Sequence, residues 1–183
     1  MASVPPLQQR LQALLQADTE RLTMLTAVRQ LNLPDALIAA GFVRNLVWDD
    51  LHGTKTPLND VDVVFFDKSD YNNQRQQAAS AWLEQHYPGI HWQVKNQANM
   101  HLRHGHAPYQ NTLEAMGFWP EQETAIGVAL QQDDTLAVVS AFSLASLFAG
   151  HITFNRRSSL AAFKARIAKK NWLRLWPQLQ VRL

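Results

Sequence analysis

A short apolar segment that opens with two closely spaced carboxylates constrains this chain more than any other feature. Asp60 and Asp62 flank Val61, and the run from Val63 to Phe66 that follows is wholly apolar. In a strand, side chains two residues apart point to the same face and lie about 6–7 Å apart along the chain. Both carboxylates can therefore reach one divalent cation, since Mg²⁺ prefers such oxygen ligands. In the structural alternative, Asp60 caps the preceding loop and Asp62 lies at an exposed sheet edge. The apolar flank favours the cation site over this alternative, because unpaired charge is costly in apolar surroundings.

A glycine turn upstream supplies the other half of the same kind of site. Gly41 precedes a helical pattern that carries Arg44 and Asn45 near its start. The free N–H groups and the dipole at a helix N-terminus favour phosphate, and an arginine can bind phosphate through two parallel hydrogen bonds. The alternative for Arg44 is an exposed side chain bonded to Asp49 or Asp50. Together with the carboxylate pair, the turn indicates chemistry on a nucleoside triphosphate.

The composition excludes several classes of protein. The chain of 183 residues is long enough for one well-buried domain, and 46% hydrophobic content with six Trp indicates a packed core. The sequence has no run of eighteen apolar residues, and its N-terminus lacks the pattern of a signal peptide. Without cysteine, disulfides and thiolate metal sites are excluded. We therefore expect a cytoplasmic protein with no membrane span, formed by a single domain over residues 1–183.

Charge is distributed unevenly along the chain. Residues 1–134 carry nine basic and fifteen acidic side chains, whereas residues 135–183 carry eight basic and no acidic ones. A basic segment beside an acidic body can steer a polyanion. One interpretation is therefore a contact with phosphate or nucleic acid, and the other is a solvated helix face packed on the acidic body. The basic side chains are Arg156, Arg157, Lys164, Arg166, Lys169, Lys170, Arg174 and Arg182.

Alternating helical and extended patterns predict an α+β fold, with a mixed β-sheet flanked by helices. The predicted strands are 36–40, 60–66, 90–97 and a hairpin formed by 123–130 and 134–140. Residues 99–120 are expected to form a loop with a short helix. The predicted helices are 6–31, 42–52, 70–86 with Ser69 or Asp70 as its cap, a short one at 143–149, and a basic amphipathic helix at 158–173 capped by Ser158.

Several of these segments, taken in order, resemble the nucleotidyltransferase-like family once catalogued as DUF925, within the DNA polymerase β-like nucleotidyltransferase superfamily. The resemblance covers roughly residues 20–180. It implies a polymerase β-like palm fold, with Gly41 at the glycine motif and with Asp60 and Asp62 as the catalytic pair that binds Mg²⁺ or Mn²⁺. It also implies transfer of a nucleoside monophosphate from an NTP to an unidentified acceptor. The main motifs that carry it are AAGFVRNLVWDDLHG at 39–53, LNDVDVVFFD at 58–67 and WQVKNQANMH at 92–101.

The glycine motif departs from the pattern of that superfamily. Phe42 follows Gly41, whereas the superfamily usually has a second Gly or a Ser after the first Gly. We therefore expect Arg44 and Asn45 to take over part of the phosphate binding at this turn.

The third carboxylate of the superfamily is also missing. Catalytic members usually place an acid on a later strand beside the pair, but the predicted strand 90–97 carries Gln93 and Lys95 and no acid. An amide cannot supply the missing negative charge, which weighs against two-metal catalysis. Lys95 is predicted to bind a phosphate, with a surface lysine on a sheet edge as the alternative. The acids of which one could fold back to replace the third carboxylate are Glu84, Glu114, Glu121 and Glu123.

Three functions remain open at this point. A nucleotidyltransferase is favoured by the carboxylate pair and by the resemblance. A nucleotide-binding protein with weak or no catalysis is favoured by the missing acid, and a nucleic-acid binding module by the basic C-terminal helix. Most of the Trp residues fit core positions, while stacking on a nucleobase is an alternative role for Trp119 or Tyr109.

Overall fold

Five strands form the central sheet of the computed structural model, which describes residues 6–183. Strands β2 and β3 run parallel, and all other neighbours in this sheet run antiparallel. The predicted α+β fold with a mixed sheet is therefore confirmed, and each strand is slightly shorter than its predicted range. The strands, in the sheet order β3-β2-β1-β4-β5, are β1 (Leu37–Ala39), β2 (Val61–Phe65), β3 (Trp92–Asn96), β4 (Ile126–Leu130) and β5 (Leu136–Ser140).

Helices flank this sheet on both faces. Within residues 6–183, no helix has both the length and the apolar character that a membrane span needs. The predicted helix over 42–52 is confirmed, and the region 99–120 contains two short helices. The helices are α1 (Pro6–Gln16), α2 (Thr19–Gln30), α3 (Gly41–His52), α4 (Gln74–His86), α5 (Met100–His104), α6 (Thr112–Met116), α7 (Leu144–Phe148), α8 (Leu160–Lys170) and α9 (Trp172–Leu175).

The prediction of one helix over 6–31 is wrong, because the chain turns between α1 and α2. Asp18 caps α2: its carboxylate accepts hydrogen bonds from the backbone N–H and the guanidinium of Arg21. An aspartate that can bond the following N–H groups favours a new helix start over continuation of the old one. Arg21 Nε also donates to the carbonyl of Phe42 at 2.9 Å, which ties α2 to the start of α3.

The predicted helix over 70–86 begins later than expected, although Asp70 does bond its first turn. The Asp70 carboxylate accepts the backbone N–H groups of Arg75 at 3.0 Å and of Gln76 at 3.2 Å. The residue at the helix boundary is Asn73, which has a φ of +55°. The side-chain cap and the start of the helix are therefore separated by several residues.

The predicted basic helix over 158–173 is two helices. The cap of α8 is Ser159 rather than Ser158, since the Ser159 side chain accepts a hydrogen bond from the first turn. Asn171, with a φ of +54°, ends α8 and sets the direction of α9. Asparagine adopts this left-handed conformation more readily than most residues. Two short parallel strands that the sequence did not predict, β6 (His151–Thr153) and β7 (Gln180–Arg182), lie on either side of this helical pair in the chain.

The two faces of the central sheet are covered unequally. Val61, Val63 and Phe65 of β2 point into the main core, which includes residues of α1, α2, α3, α4 and α8. Because side chains alternate along a strand, Asp62 and Val64 point to the opposite face. On that face Val64 belongs to a much smaller apolar cluster, completed by Leu37, Ala39, Met116 and Ala125.

Candidate functional site

Strand β2 places the carboxylate pair. Asp60 directly precedes the strand, and Asp62 lies within it on the less covered face. The Asp62 side chain is half-buried and makes no hydrogen bond or ion pair with any residue in the described range 6–183. Burial raises the pKa of Asp62 above its ordinary range, and the charge of Asp60 raises it further, while Arg44, Lys170 and Arg166 act in the opposite direction. The negative charge of Asp62 is therefore only partly compensated, by cations that do not contact the carboxylate.

Asp60 is more open than Asp62 and is oriented by a histidine. The ring N–H at Nδ1 of His91 donates to Asp60 Oδ1 over 2.6 Å. The Asp60 side chain is 34% exposed and that of His91 is 69% exposed. The alternative that places Asp62 at a sheet edge is wrong, because β2 lies between β3 and β1. Both carboxylates instead line one cleft of about 230 Å³.

The turn from β1 into α3 forms another wall of this cleft. Its unusual backbone conformation is at Ala40, with φ +57° and ψ −123°, rather than at Gly41. Such a conformation costs about 1–3 kcal/mol for a residue with a Cβ and persists where its surroundings fix it. The Ala40 carbonyl accepts the N–H groups of Val43 and Arg44, which leaves the amides of Gly41 and Phe42 as the unbonded donors at this helix start, among the described residues.

Arg44 lies at the base of the cleft and is 5% exposed. Its Nη1 donates to Thr124 Oγ1 at 2.6 Å and its Nη2 donates to Asn45 Oδ1 at 3.0 Å. Its guanidinium lies 4.8 Å from the ring centre of Trp48 and 4.4 Å from that of Trp172. Burial lowers the pKa of Arg44 to about 10, so the side chain remains a cation at neutral pH.

The exposed, carboxylate-bonded alternative for Arg44 is wrong, because both candidate partners are engaged elsewhere. Asp49 accepts hydrogen bonds from Trp176 Nε1 and from the Thr56 backbone N–H, each at 2.9 Å. Asp50 pairs with Arg10 at 2.5 Å. The side chain of Arg44 is therefore free of carboxylate contact and reaches the turn, where a Cβ added to Gly41 would lie 3.5 Å from Arg44 Nη2.

Helix α8 brings two further cations to the cleft. Arg166 and Lys170 lie one turn apart on α8, and both line the cleft. Arg166 Nε donates to Glu121 Oε1 at 2.6 Å, and Glu121 is almost fully buried. The sequence marked these residues only as members of a basic segment. Their spacing of four residues in a helix without acids is the signal that could have singled them out.

The neighbouring strand β3 carries an amide, and no acid, beside the carboxylate pair. Gln93 pairs in register with Asp62 and lines the cleft. Lys95 follows on the same face of β3 but is not among the residues that line the cleft. None of the four candidate acids lines it either: Glu84 is exposed on α4, Glu114 accepts the Gln110 N–H, Glu123 accepts from Thr153, and Glu121 bonds Arg166.

The structure thus brings together five of the six predicted site residues, namely Gly41, Arg44, Asn45, Asp60 and Asp62. In the part of the chain that the structure describes, no three His, Cys, Asp or Glu side chains form a metal-binding group. The cleft therefore combines one carboxylate pair with a helix N-terminus and three cationic side chains. Such a set can hold an anion and a divalent cation side by side.

A family model described as nucleotidyltransferase (NTP_transf_6) matches residues 26–181 of this sequence. The chain belongs to this nucleotidyltransferase family. The expected family is therefore confirmed. No curated protein sequence matches the chain significantly.

Solved structures agree with this nucleotidyltransferase assignment. An NMR structure described as a CCA-adding enzyme head domain has a TM-score of 0.82 and 27% identity, with 95% of each chain covered. A CCA-adding enzyme in complex with CTP has a TM-score of 0.63 and 14% identity, and its apo form has a TM-score of 0.60 and 14% identity. These two matches cover 94% of this chain but only 43% and 42% of the longer enzyme chains, and they show the fold alone. The expected polymerase β-like fold is confirmed.

Because the charge of Asp62 is only partly compensated, we expect its removal to stabilise the folded protein. Since the pKa of Asp62 is raised in the folded protein, ionisation destabilises the fold, and this cost grows as the pH rises above the ordinary pKa of 3.8. We expect Asp62→Asn to have a higher free energy of unfolding than the wild type at pH 7, measured by urea denaturation. The difference should shrink as the pH falls toward 4.

The matched control is Asp60→Asn, which removes the same repulsion but also weakens the hydrogen bond from His91, because the acceptor is no longer charged. We expect a smaller gain for this variant. A lower stability of Asp62→Asn than of the wild type at pH 7 would show that Asp62 has a compensating partner.

Proposed function

We propose that this nucleotidyltransferase transfers a nucleoside monophosphate from an NTP to an acceptor hydroxyl. The observation that carries the proposal is a single cleft that joins the N-terminus of α3, the pair Asp60 and Asp62, and the basic side chains of α8. The family membership supports the reaction class. The CCA-adding enzyme that shares this fold was solved with CTP, which supports a nucleotide as the ligand.

The phosphates are assigned to the positive wall of the cleft. The unbonded amides of Gly41 and Phe42 and the dipole of α3 favour an anion at the helix start. Arg44 adds a buried cation beneath the turn, and Arg166 and Lys170 add two from the opposite wall. The guanidinium of Arg44 stays in place without phosphate, because Thr124, Asn45 and two indole rings hold it. A rigid donor of this kind loses little conformational entropy when it binds.

Mg²⁺ or Mn²⁺ fits the carboxylate pair. Asp62 is half-buried, has a raised pKa and has no contacting partner among residues 6–183, so a cation beside it would relieve an existing cost. Asp60 and Asp62 would hold the ion, and Asn59 and Gln93, whose amides can supply oxygen ligands, line the same cleft. When bound, a divalent ion would supply positive charge that offsets the charge of the triphosphate. The hydrogen bond from His91 fixes the direction in which the Asp60 carboxylate faces.

A second candidate function is nucleotide binding with weak or no catalysis. The observation that favours it is Gln93, which occupies the register position opposite Asp62 and carries no charge. Binding of the triphosphate needs the helix start and the cations, whereas activation of the acceptor hydroxyl needs a base or further negative charge. The missing acid therefore affects the second requirement more than the first.

Substitution of either carboxylate tests whether the protein catalyses nucleotidyl transfer. We expect Asp60→Asn and Asp62→Asn to lower pyrophosphate release from ribonucleoside triphosphates by about 100-fold or more, because each replaces an anionic ligand of the cation by a neutral amide. The measurement uses Mg²⁺ and a mixed pool of RNA, protein and small-molecule acceptors. Asp133→Asn, in the exposed hairpin loop, is the control and should match the wild type. Equal rates in all four proteins would contradict the proposal.

Gly41 allows a test that leaves the fold intact. A Cβ at this position would meet no other residue closer than 3.5 Å, and the φ of Gly41 is not in the left-handed region. We expect Gly41→Ala to change the free energy of unfolding by no more than about 1 kcal/mol. NTP affinity should fall about tenfold, measured by calorimetry, because the methyl group occupies the approach to the helix start.

Inorganic triphosphate is the matched ligand for this variant. It should lose affinity by a similar factor, since the methyl group obstructs phosphate rather than the base. Unchanged affinity for both ligands would mean that phosphate does not approach the turn.

Restoring an acid on β3 distinguishes the two candidate functions. We expect Gln93→Glu to raise Mg²⁺-dependent pyrophosphate release at least about tenfold, because it supplies negative charge opposite Asp62. Gln93→Ala is the control for loss of the amide alone. A wild-type protein that binds NTP without turnover, together with an active Gln93→Glu variant, would establish the second candidate. No gain in Gln93→Glu would show that the third acid does not limit the reaction.

A further inference from the structure

A second cavity adjoins the cleft on the other side of Asp62. Its volume is about 190 Å³, and it shares Ala40, Asp62 and Arg166 with the cleft. Its remaining walls come from Trp119, Pro120 and Thr124, so it extends over the β1 and β4 side of the sheet. Each of the two spaces is smaller than the 300–1,000 Å³ typical of ligand pockets. Joined at Asp62, they form one extended site of ordinary size.

The aromatic wall of this cavity is held in a fixed position by Asn155. The side-chain amide of Asn155 donates to the carbonyls of Gly117 and Trp119, each at 2.8 Å. Its backbone N–H donates to the Pro120 carbonyl at 2.9 Å, and Asn155 itself is 2% exposed. The Trp119 side chain is only partly buried and packs on the small apolar cluster. The backbone that carries the indole is therefore held in place, and part of the indole surface remains available to a ligand.

Polar groups with unused hydrogen-bonding capacity line the same cavity as the indole. Thr124 Oγ1 accepts a hydrogen bond from Arg44, so its own O–H can donate. Within the described residues, Arg166 uses only Nε, toward Glu121, which leaves its terminal amino groups as donors. One flat aromatic wall together with a few polar donors suits a planar heteroaromatic ring with acceptor atoms on its edge.

We propose that the second cavity binds a nucleobase, stacked on Trp119 and hydrogen-bonded by Thr124 and Arg166. The proposal rests on the proposed nucleotidyl transfer, since it is Asp62 and Arg166 that connect the cavity to the phosphate cleft. A base in this position belongs either to the NTP or to the terminal nucleoside of the acceptor. Both sources present the same ring to Trp119, and the stacking is tolerant of base identity because every base has a π-face.

The test compares ligands with and without a base in variants of Trp119. Calorimetry measures the affinity of ATP and of inorganic triphosphate, and then of each ribonucleoside for the protein saturated with triphosphate. Alanine substitution of an aromatic side chain that stacks on a base lowers affinity by roughly 5- to 150-fold. We expect Trp119→Ala to show such a loss for a base-containing ligand, Trp119→Phe to retain most of the affinity, and triphosphate affinity to stay unchanged in both.

Phe142→Ala is the matched control, because Phe142 packs on the same apolar cluster without lining the cavity. Urea denaturation of each variant shows whether Trp119→Ala is folded, and Trp119→Phe supplies the comparison if it is not. A loss confined to ATP assigns the base to the NTP, and a loss confined to the ribonucleosides assigns it to the acceptor.

The test distinguishes a failure of the proposed base site from a failure of the proposed function. If the wild type binds ATP and Trp119→Ala binds ATP and the ribonucleosides equally well, the base site is wrong and the proposed function stands. The same conclusion follows if Trp119→Phe loses as much affinity as Trp119→Ala, because stacking would then not explain the loss. If the wild type binds neither ATP nor triphosphate, both proposals are overturned.

Discussion

The packing of the C-terminal helices on α3 is the interaction on which the cleft depends. The Trp48 ring makes edge contacts with Trp172 and Trp176, at centroid distances of 5.7 and 5.2 Å. Arg44 lies over two of these rings, and Trp176 Nε1 donates to Asp49. These contacts hold α8 and α9 beside the helix whose N-terminus forms the turn. Together with the other contacts of α8, they fix its basic side chains relative to the carboxylates of β2.

Among the described residues, the cations and carboxylates that line the cleft do not pair directly with one another. Glu121 pairs with Arg166 and opposes the desolvation of Arg44, so two of the three cations have a buried counter-charge outside the cleft. Asp62 is left without a contacting partner in the described structure, and its pKa is raised. The carboxylate has lost part of its hydration, and the nearby cations do not fully compensate its negative charge. Such a loss is tolerated where a ligand completes the charge balance, in agreement with the proposed triphosphate and cation.

The sequence predicted the features whose signals are local, and it missed those that depend on distant contacts. Asp60 and Asp62 stood out because an apolar strand makes charge conspicuous, and α3 because a glycine precedes a helical pattern. The left-handed turn residue is Ala40, which carries no sequence signal for that conformation. The burial of Arg44 depends on Trp172, more than a hundred residues away along the chain. Likewise, only the docked position of α8 shows that Arg166 faces Asp62.

The amide at Gln93 determines how much of the proposed chemistry the carboxylate pair must perform. Gln93 lies in register with Asp62, so an acid there would have added a third negative charge to an already repulsive pair. The amide avoids that repulsion and still offers an oxygen ligand, which favours binding of one divalent ion over two. Glu121 does not compensate, because its bond to Arg166 directs it toward the cations rather than toward the pair. Among the acids of the described residues, the proposed transfer would therefore rest on Asp60 and Asp62 alone.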